Sequence, residues 1–289
     1  MFDTIRRSYH LFRQSLAILS QDKELLLFPF LSGIITIVAF ASLVWGGWTT
    51  GFFTRLVESG DRSLEANALA YGAMFLWYFV SWFIVLFFNV AIVHCAKMRL
   101  EGGDPTIADG FRASMQHLGR ITAWAAVSAT VGVILRVIAD RSALLGKFVV
   151  WLVGAAWAIA TYFIVPVLIF ERRSLRDSLK TSTGLIAKTW GESLVAGIGF
   201  GAFTTLLAIG GMIVPVIGAF IGVKALIAGL VLMIAWWIVL AILTSALASI
   251  FRTCLYMYAT SGAAPQGFSP EFVQNAFAAK GRRMMRATA

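Results

Sequence analysis

Charge is what this chain lacks most. Only 13% of its 289 residues are charged and 59% are hydrophobic, whereas a soluble domain carries about 25% charged and under 50% apolar residues. So much apolar side chain has too little polar surface to cover it in water, which excludes an ordinary soluble globule. The deficit is also spatial. No charged residue occurs from Leu25 to Thr54, Ala66 to Ala96, Phe148 to Phe170, Ser193 to Val223 or Ala225 to Phe251. Carboxylates are therefore missing from every long apolar run, and Glu171 stands just past the fourth. An intramembrane carboxylate relay, the usual basis of proton- or sodium-driven transport, has no residues to build on.

Cysteine is equally scarce. Cys95 and Cys254 are the two present, both at expected cytoplasmic helix ends where thiols stay reduced, and they form no metal or redox motif. His10 and His117 are isolated, without a second ligand at metal-site spacing. No nucleophile stands with a base and an orienting acid at recognisable spacing, and no glycine-rich phosphate loop follows a strand. The expectation is a non-enzymatic protein with no cofactor or metal.

The apolar runs themselves specify the architecture. Each of the five exceeds the roughly 20 residues needed to cross the hydrocarbon. Backbone groups there must be satisfied without water, by helices or a closed barrel, and the runs are too long and evenly apolar for barrel strands of about 10 alternating residues. A sixth, Ile121 to about Ile138, is interrupted by Arg136. That arginine is close enough to the helix end to reach the headgroups, with Asp140 four residues on as its partner. The chain is thus expected to be all-α, a polytopic membrane helix bundle. Its six spans fall at about 25–48, 69–96, 120–139, 148–170, 194–215 and 224–251, in one transmembrane domain over residues 1–262. A cytoplasmic tail, 263–289, follows with a short helix near 269–280, where Ser269-Pro-Glu271 supplies a cap, a first-turn proline and an acid.

The formal charge of +10 arises from 24 Lys and Arg. With the N-terminus inside, all but Arg55, Arg62, Arg136, Arg141, Lys147 and Lys224 fall on the cytoplasmic side. That bias follows the positive-inside rule and sets both termini in the cytoplasm of a bacterial or archaeal plasma membrane. Orientation thus accounts for the basic excess, without nucleic acid as a partner. No cleavable signal peptide is visible, because the first apolar run follows an amphipathic stretch and lacks a small-residue cleavage site.

An ungapped internal match marks the cytoplasmic segments. Thr106-Ile-Ala-Asp109-Gly-Phe-Arg112-Ala-Ser114 aligns with Ser174-Leu-Arg-Asp177-Ser-Leu-Lys180-Thr-Ser182, and Asp3-Thr-Ile5-Arg6-Arg-Ser8 is a fainter third copy. Each precedes two spans, so the spans read as three hairpins, each introduced by a cytoplasmic amphipathic helix. Thr106 with Asp109 and Ser174 with Asp177 fit helix-start capping boxes, a structural reading preferred to a catalytic one. In the first helix Phe2, Ile5, Tyr9, Phe12, Leu16 and Leu19 form an apolar stripe from which Arg6, Arg7 and Arg13 are excluded. Such a helix lies at the interface with its arginines among anionic lipid headgroups or packs on the cytoplasmic ends of the spans.

Polar groups within the spans are few. Asn89, Thr130, Thr161, Thr204, Thr205 and Thr244 are the candidates for lining a solute path, with His94 near the inner boundary. The structural alternative makes Asn89 an interhelical hydrogen-bonding residue. Gly197/Gly201 and Gly218/Gly222 have the spacing that lets helices approach closely. Pro215 and the glycines of 210–222 form either a tight outer turn or a broken, re-entrant segment. Pro166 is expected to kink the fourth span.

Several segments carry a family likeness: Lys23-Glu-Leu-Leu-Leu-Phe-Pro-Phe-Leu-Ser-Gly33, Phe88-Asn-Val-Ala91, Pro166 to Glu171, Tyr258-Ala-Thr-Ser-Gly262 and Gly267-Phe-Ser-Pro-Glu271. Together they resemble a family of bacterial and archaeal membrane proteins known only as a domain of unknown function. The hairpin units are also distantly similar to the membrane domain attached to some glycerophosphodiester phosphodiesterases, whose catalytic barrel this chain has no room for. The resemblance implies six spans and a plasma-membrane location, and no activity. Two functions remain in view: contact with membrane lipids, anionic ones above all, or with a membrane-protein partner, and alternatively a transporter or channel for a small solute.

Overall fold

Backbone groups deprived of water close on themselves as helix. The computed structural model describes residues 13–52, 54–55, 64–141, 144–171, 173–263 and 265–268, and among these it contains helices and no strand. Arg6, Arg7, the Asp3–Ser8 copy of the repeat and the expected tail helix lie outside the described residues. Helical residues 13–21 and a short 3-10 turn, Lys23–Leu26, precede α1 (Leu27–Thr49) and α2 (Leu64–Leu100). Next come α3 (Ile107–Gln116), α4 (Leu118–Arg141), α5 (Leu144–Ala160) and α6 (Ile164–Phe170). Last are α7 (Leu175–Gly211), α8 (Ile213–Ile221) and α9 (Val223–Ser261).

Among the described residues six stretches are long and apolar enough to cross a membrane: Lys23–Thr49, Ala68–Leu100, Leu118–Asp140, Gly146–Phe170, Thr204–Ile221 and Val223–Ser261. The chain is an all-helical, multi-pass membrane protein. Their large apolar side chains stay exposed, as a lipid solvent allows; on α1 alone Ile37, Val38, Trp45 and Trp48 are exposed. In the third stretch Arg136 pairs with Asp140 at 3.1 Å.

Three boundaries differ from expectation. The third amphipathic segment and the fifth span are one helix, α7, because no proline interrupts residues 175–211. By contrast α3 and α4 are separated at His117, whose Nδ1 lies 2.8 Å from the Ala113 carbonyl and competes there with the helix's own amide. The last helix runs ten residues past the expected end of span six and stops where Gly262 takes φ 72°, the left-handed cap that glycine adopts without strain. Near the N-terminus the buried face is Ser15, Ile18, Leu19 and Asp22, while Leu16, expected on the apolar stripe, is exposed.

Pro166 and Pro215 each break a helix, and in each case a side chain from elsewhere meets an orphaned carbonyl. Pro166 has no amide to give Tyr162, and the fourth span opens over 161–163 between α5 and α6. There Ile164 N–H turns to Thr161 O, so Ala160 O loses its helical donor. The hydroxyl of Ser182 on α7 donates to Ala160 O at 2.7 Å and accepts from Phe163 N–H at 3.2 Å.

Pro215 acts similarly in the fifth span. Met212 N–H bonds to Ile209 O rather than to Ala208 O, and Trp237 Nε1 on α9 donates to Ala208 O at 3.0 Å. Trp236 reaches Leu207 O at 3.0 Å, and its indole occupies the space a side chain at Gly211 would need. Segment 210–222 is therefore a helix broken at Met212 that continues the span to Ile221, rather than a tight outer turn. The reversal is confined to Gly222, at φ 145° and ψ 171°, a conformation open essentially to glycine alone. Beyond it α9 runs back along α8, with Gly218 against the Ala225 backbone and Gly229 against Pro215. Of the expected small-residue pairs, Gly218 makes a close contact, whereas Gly201 and Gly222 have open space around them. Replacing Trp237 with Phe keeps the ring but orphans Ala208 O in apolar surroundings. We expect a loss of about 1–3 kcal/mol, read as a lowered thermal midpoint in detergent.

Two compact units can be distinguished. One comprises Phe28–Ala91 and Ala108–Thr183, and the other comprises the described residues up to Leu27, those of Ile92–Ile107 and those from Gly184 onward. In the first, Phe111 of α3 packs among Phe28, Phe87 and Phe88, with ring centroids 5.8, 6.1 and 5.9 Å away. Trp124 of α4 stacks on Trp157 of α5 at 5.7 Å, and Arg120 donates to Leu168 O at 2.7 Å, a cation at the C-terminus of α6. In the second unit, the kinked fifth span packs on α9, and α9 also touches the Lys23–Leu26 turn.

Candidate functional site

Antiparallel spans that diverge leave a wedge, and small residues on the facing surfaces widen it. Between α1 and α2, within the first unit, lies a cavity of about 640 Å³. Gly46 and Gly47 on α1 face Ala68, Gly72 and Ala73 on α2 across it. Phe40 and Trp77 line its deep end and meet edge to face, centroids 4.9 Å apart. Its wall is almost wholly apolar. Ser42 and Thr50 line it as well, but Ser42 donates to Val38 O at 2.8 Å and Thr50 to Gly46 O at 2.7 Å, each in its own helical turn.

The residues expected to line a solute path are used differently. Thr130, Thr161, Thr205 and Thr244 each donate to the carbonyl four residues back, at 2.7–2.8 Å. None of these hydroxyls offers its proton to a lumen. Asn89 and His94 are half-buried and each interacts with another group, as does Thr204. Near Asn89, the space between Leu86, Val90, Ile121, Trp124 and Leu168 shrinks to a void of about 10 Å³, room for no more than about one water. Among the described residues no three His, Cys, Asp or Glu side chains gather as metal ligands.

The cap residues take up helix-start positions. Ser174 Oγ accepts from Asp177 N–H at 3.2 Å and donates to the Asp177 carboxylate at 2.6 Å, which ties off the first turn of α7. Thr106 directly precedes α3, and Asp109 pairs with Arg112 at 3.2 Å. The match between the two copies extends beyond their starts. Ser114 Oγ donates to Phe87 O of α2 at 2.7 Å, as Ser182 does to Ala160 O of α5, and Arg112 and Lys180 are both exposed. Equivalent serines thus bind each repeated helix to the backbone of a preceding span. Of the three arginines expected at lipid headgroups, Arg13 is described and exposed.

One charged cluster has no counterpart among the sequence expectations. In the second unit Arg99, near the end of α2, places Nε and a terminal nitrogen on the two carboxylate oxygens of Asp22, and reaches Asp104 at 2.6 Å. Asp22 is 9% exposed. Gln266 N–H donates to Leu100 O at 3.2 Å, and Gly267 packs on Ile18. This knot joins the approach to span one, the end of span two and the segment after span six. Its partners stand 77 residues apart, beyond any local motif. The cleft left a fainter trace, Gly46-Gly47 and Gly72 in otherwise bulky spans, which reads as a site only once α1 and α2 are known to face each other there.

No curated protein and no solved structure matches the chain, the glycerophosphodiester phosphodiesterases included. A sequence profile matches residues 68–267, from the second span through the segment that follows the sixth, and by that match the chain belongs to a family of unknown function, DUF6159.

Proposed function

We propose that the protein is a non-enzymatic component of a bacterial or archaeal plasma membrane that acts through contacts with lipids, anionic ones foremost, or with a membrane-protein partner, and not with nucleic acid. Its spans form three hairpins, each introduced by a cytoplasmic amphipathic helix, with both termini in the cytoplasm. The excess of Lys and Arg in the segments assigned to that side supports this orientation. The observation that carries the functional reading is the apolar cleft between α1 and α2, set beside threonines whose hydroxyls close on their own helices. A solute path needs polar groups turned toward water, whereas a lipid contact needs apolar surface and cations at the headgroups. On the cytoplasmic side those cations are Arg6, Arg7 and Arg13, whereas the cleft ends at Thr50 and Phe52 and opens on the other side, beside Arg55.

Native mass spectrometry of the protein released from lipid nanodiscs tests this. We expect a retained anionic lipid that is lost when Arg6, Arg7 and Arg13 are neutralised together. A retained polar solute, lost instead with Asn89→Leu, would replace this reading with a transporter.

A further inference from the structure

Deepening that lipid-contact reading, we infer that the cleft between α1 and α2 is a binding site for one acyl chain of an anionic glycerophospholipid, with its headgroup at Arg55.

Length, wall chemistry and position all bear on the occupant. From Phe40 to Thr50 the helical part of the lining covers ten residue steps, about 15 Å at helical rise, enough to hold most of an extended lipid acyl chain. Ser42 and Thr50 spend their protons within α1, so a polar solute would lose its hydration and find few partners. Position fixes the direction. Trp45 and Trp48, 72% and 77% exposed, project away from the cleft at the level where indoles mark the boundary between hydrocarbon and headgroups. The cleft therefore reaches from that boundary into the hydrocarbon, closed at depth by the Phe40–Trp77 pair. At the other end α1 stops at the Gly51 reversal, φ 67°, and the exposed Arg55 follows Phe52 by three residues. A cation there lies in the layer occupied by phosphates, about 7 Å deep on each side of the bilayer.

An acyl chain leaving the bilayer for the cleft exchanges one apolar surrounding for another. Selectivity must then come from the shape of the cleft and from the charge at its mouth.

The test uses the full chain in nanodiscs containing phosphatidylglycerol with a diazirine in one acyl chain. After illumination the adducts are mapped by peptide mass spectrometry. We expect adducts on α1 between Leu43 and Gly47 and on α2 between Leu69 and Leu76, at least fivefold above those on the exposed α9 face at Val231, Ile234 and Ile238. Gly46 and Gly72 have no neighbouring atom within 4 Å of a Cβ position, so Gly46→Leu and Gly72→Leu each fill the cleft without straining the helices. Either variant should bring cleft labelling down to the α9 level. Arg55→Glu should lower labelling by the phosphatidylglycerol probe severalfold and leave labelling by a phosphatidylcholine probe unchanged.

Uniform labelling, or cleft labelling that survives both filling variants, overturns the inference. Equal labelling by a diazirine fatty acid would also overturn it, since the occupant would then be a free acid. If either happens while native mass spectrometry still detects a retained anionic lipid, the cleft assignment fails and the wider lipid reading stands. Retention of a polar solute would remove both.

Discussion

Ser182→Ala should destabilise the protein by about 2–4 kcal/mol, a large effect for the loss of one oxygen atom. Ser182 is fully buried, and its hydroxyl serves two backbone groups that the break before Pro166 leaves without helical partners, Ala160 O and Phe163 N–H. Each buried group left unsatisfied costs about 1–3 kcal/mol, and a methyl group can serve neither. The equivalent serine in the other copy of the repeat provides an internal comparison. Ser114 donates to Phe87 O, which lies inside unbroken α2 and has a helical donor available. Ser114→Ala should cost only about 0.5–1.5 kcal/mol. Thermal unfolding in detergent, followed with a thiol-reactive fluorogenic dye, measures both, because Cys95 and Cys254 are buried and react when the fold opens. Equal shifts for the two variants would show that Ser182 is not bridging a break.

Asp22→Ala is expected to lower the same unfolding midpoint by a comparable amount. Removing one member of a buried ion pair costs about 3–5 kcal/mol when the other charge is left uncompensated. Here Asp104 still reaches Arg99, and the Arg99 side chain keeps 21% exposure, so about 2–4 kcal/mol is the expected loss. The two carboxylates should differ sharply. Asp104 is 92% exposed, and Asp104→Ala removes a solvated contact worth about 0–1 kcal/mol. Arg99→Leu tests the cluster from the other side. It removes the cation and leaves the Asp22 carboxylate buried, so it should destabilise as Asp22→Ala does. In the double variant Asp22→Leu with Arg99→Leu, no charge is left in the buried pair, and much of the stability should return. A double variant no more stable than either single one would mean that the knot does not hold these segments through its charges.

The amino-acid sequence was enough to read an all-helical membrane protein with six segments long and apolar enough to cross the bilayer. Uncharged runs longer than the hydrocarbon is thick admit hardly any other fold, and even the weaker third span keeps its Arg136–Asp140 pair. Helix starts were legible too, since a cap acts on amides within three residues of itself, as Ser174 does on Asp177. Polar residues were visible as a set, but their use was not. A threonine in a span can serve a neighbouring helix, a lumen or its own carbonyl four residues back, and packing selects among these. For Thr130, Thr161, Thr205 and Thr244 it selected the last. Tertiary structure alone decided which distant group meets each local defect: Ser182 at the Pro166 break, Trp237 at the Pro215 kink, Arg99 on Asp22. It also decided that the glycines of α1 and α2 face one another across a cleft. In lipid nearly every face of a span is apolar, so the hydrophobic pattern that identifies the buried face of a soluble helix is almost absent here. Which faces meet depends instead on close packing and on a few hydrogen bonds, and those become readable once the helices stand side by side.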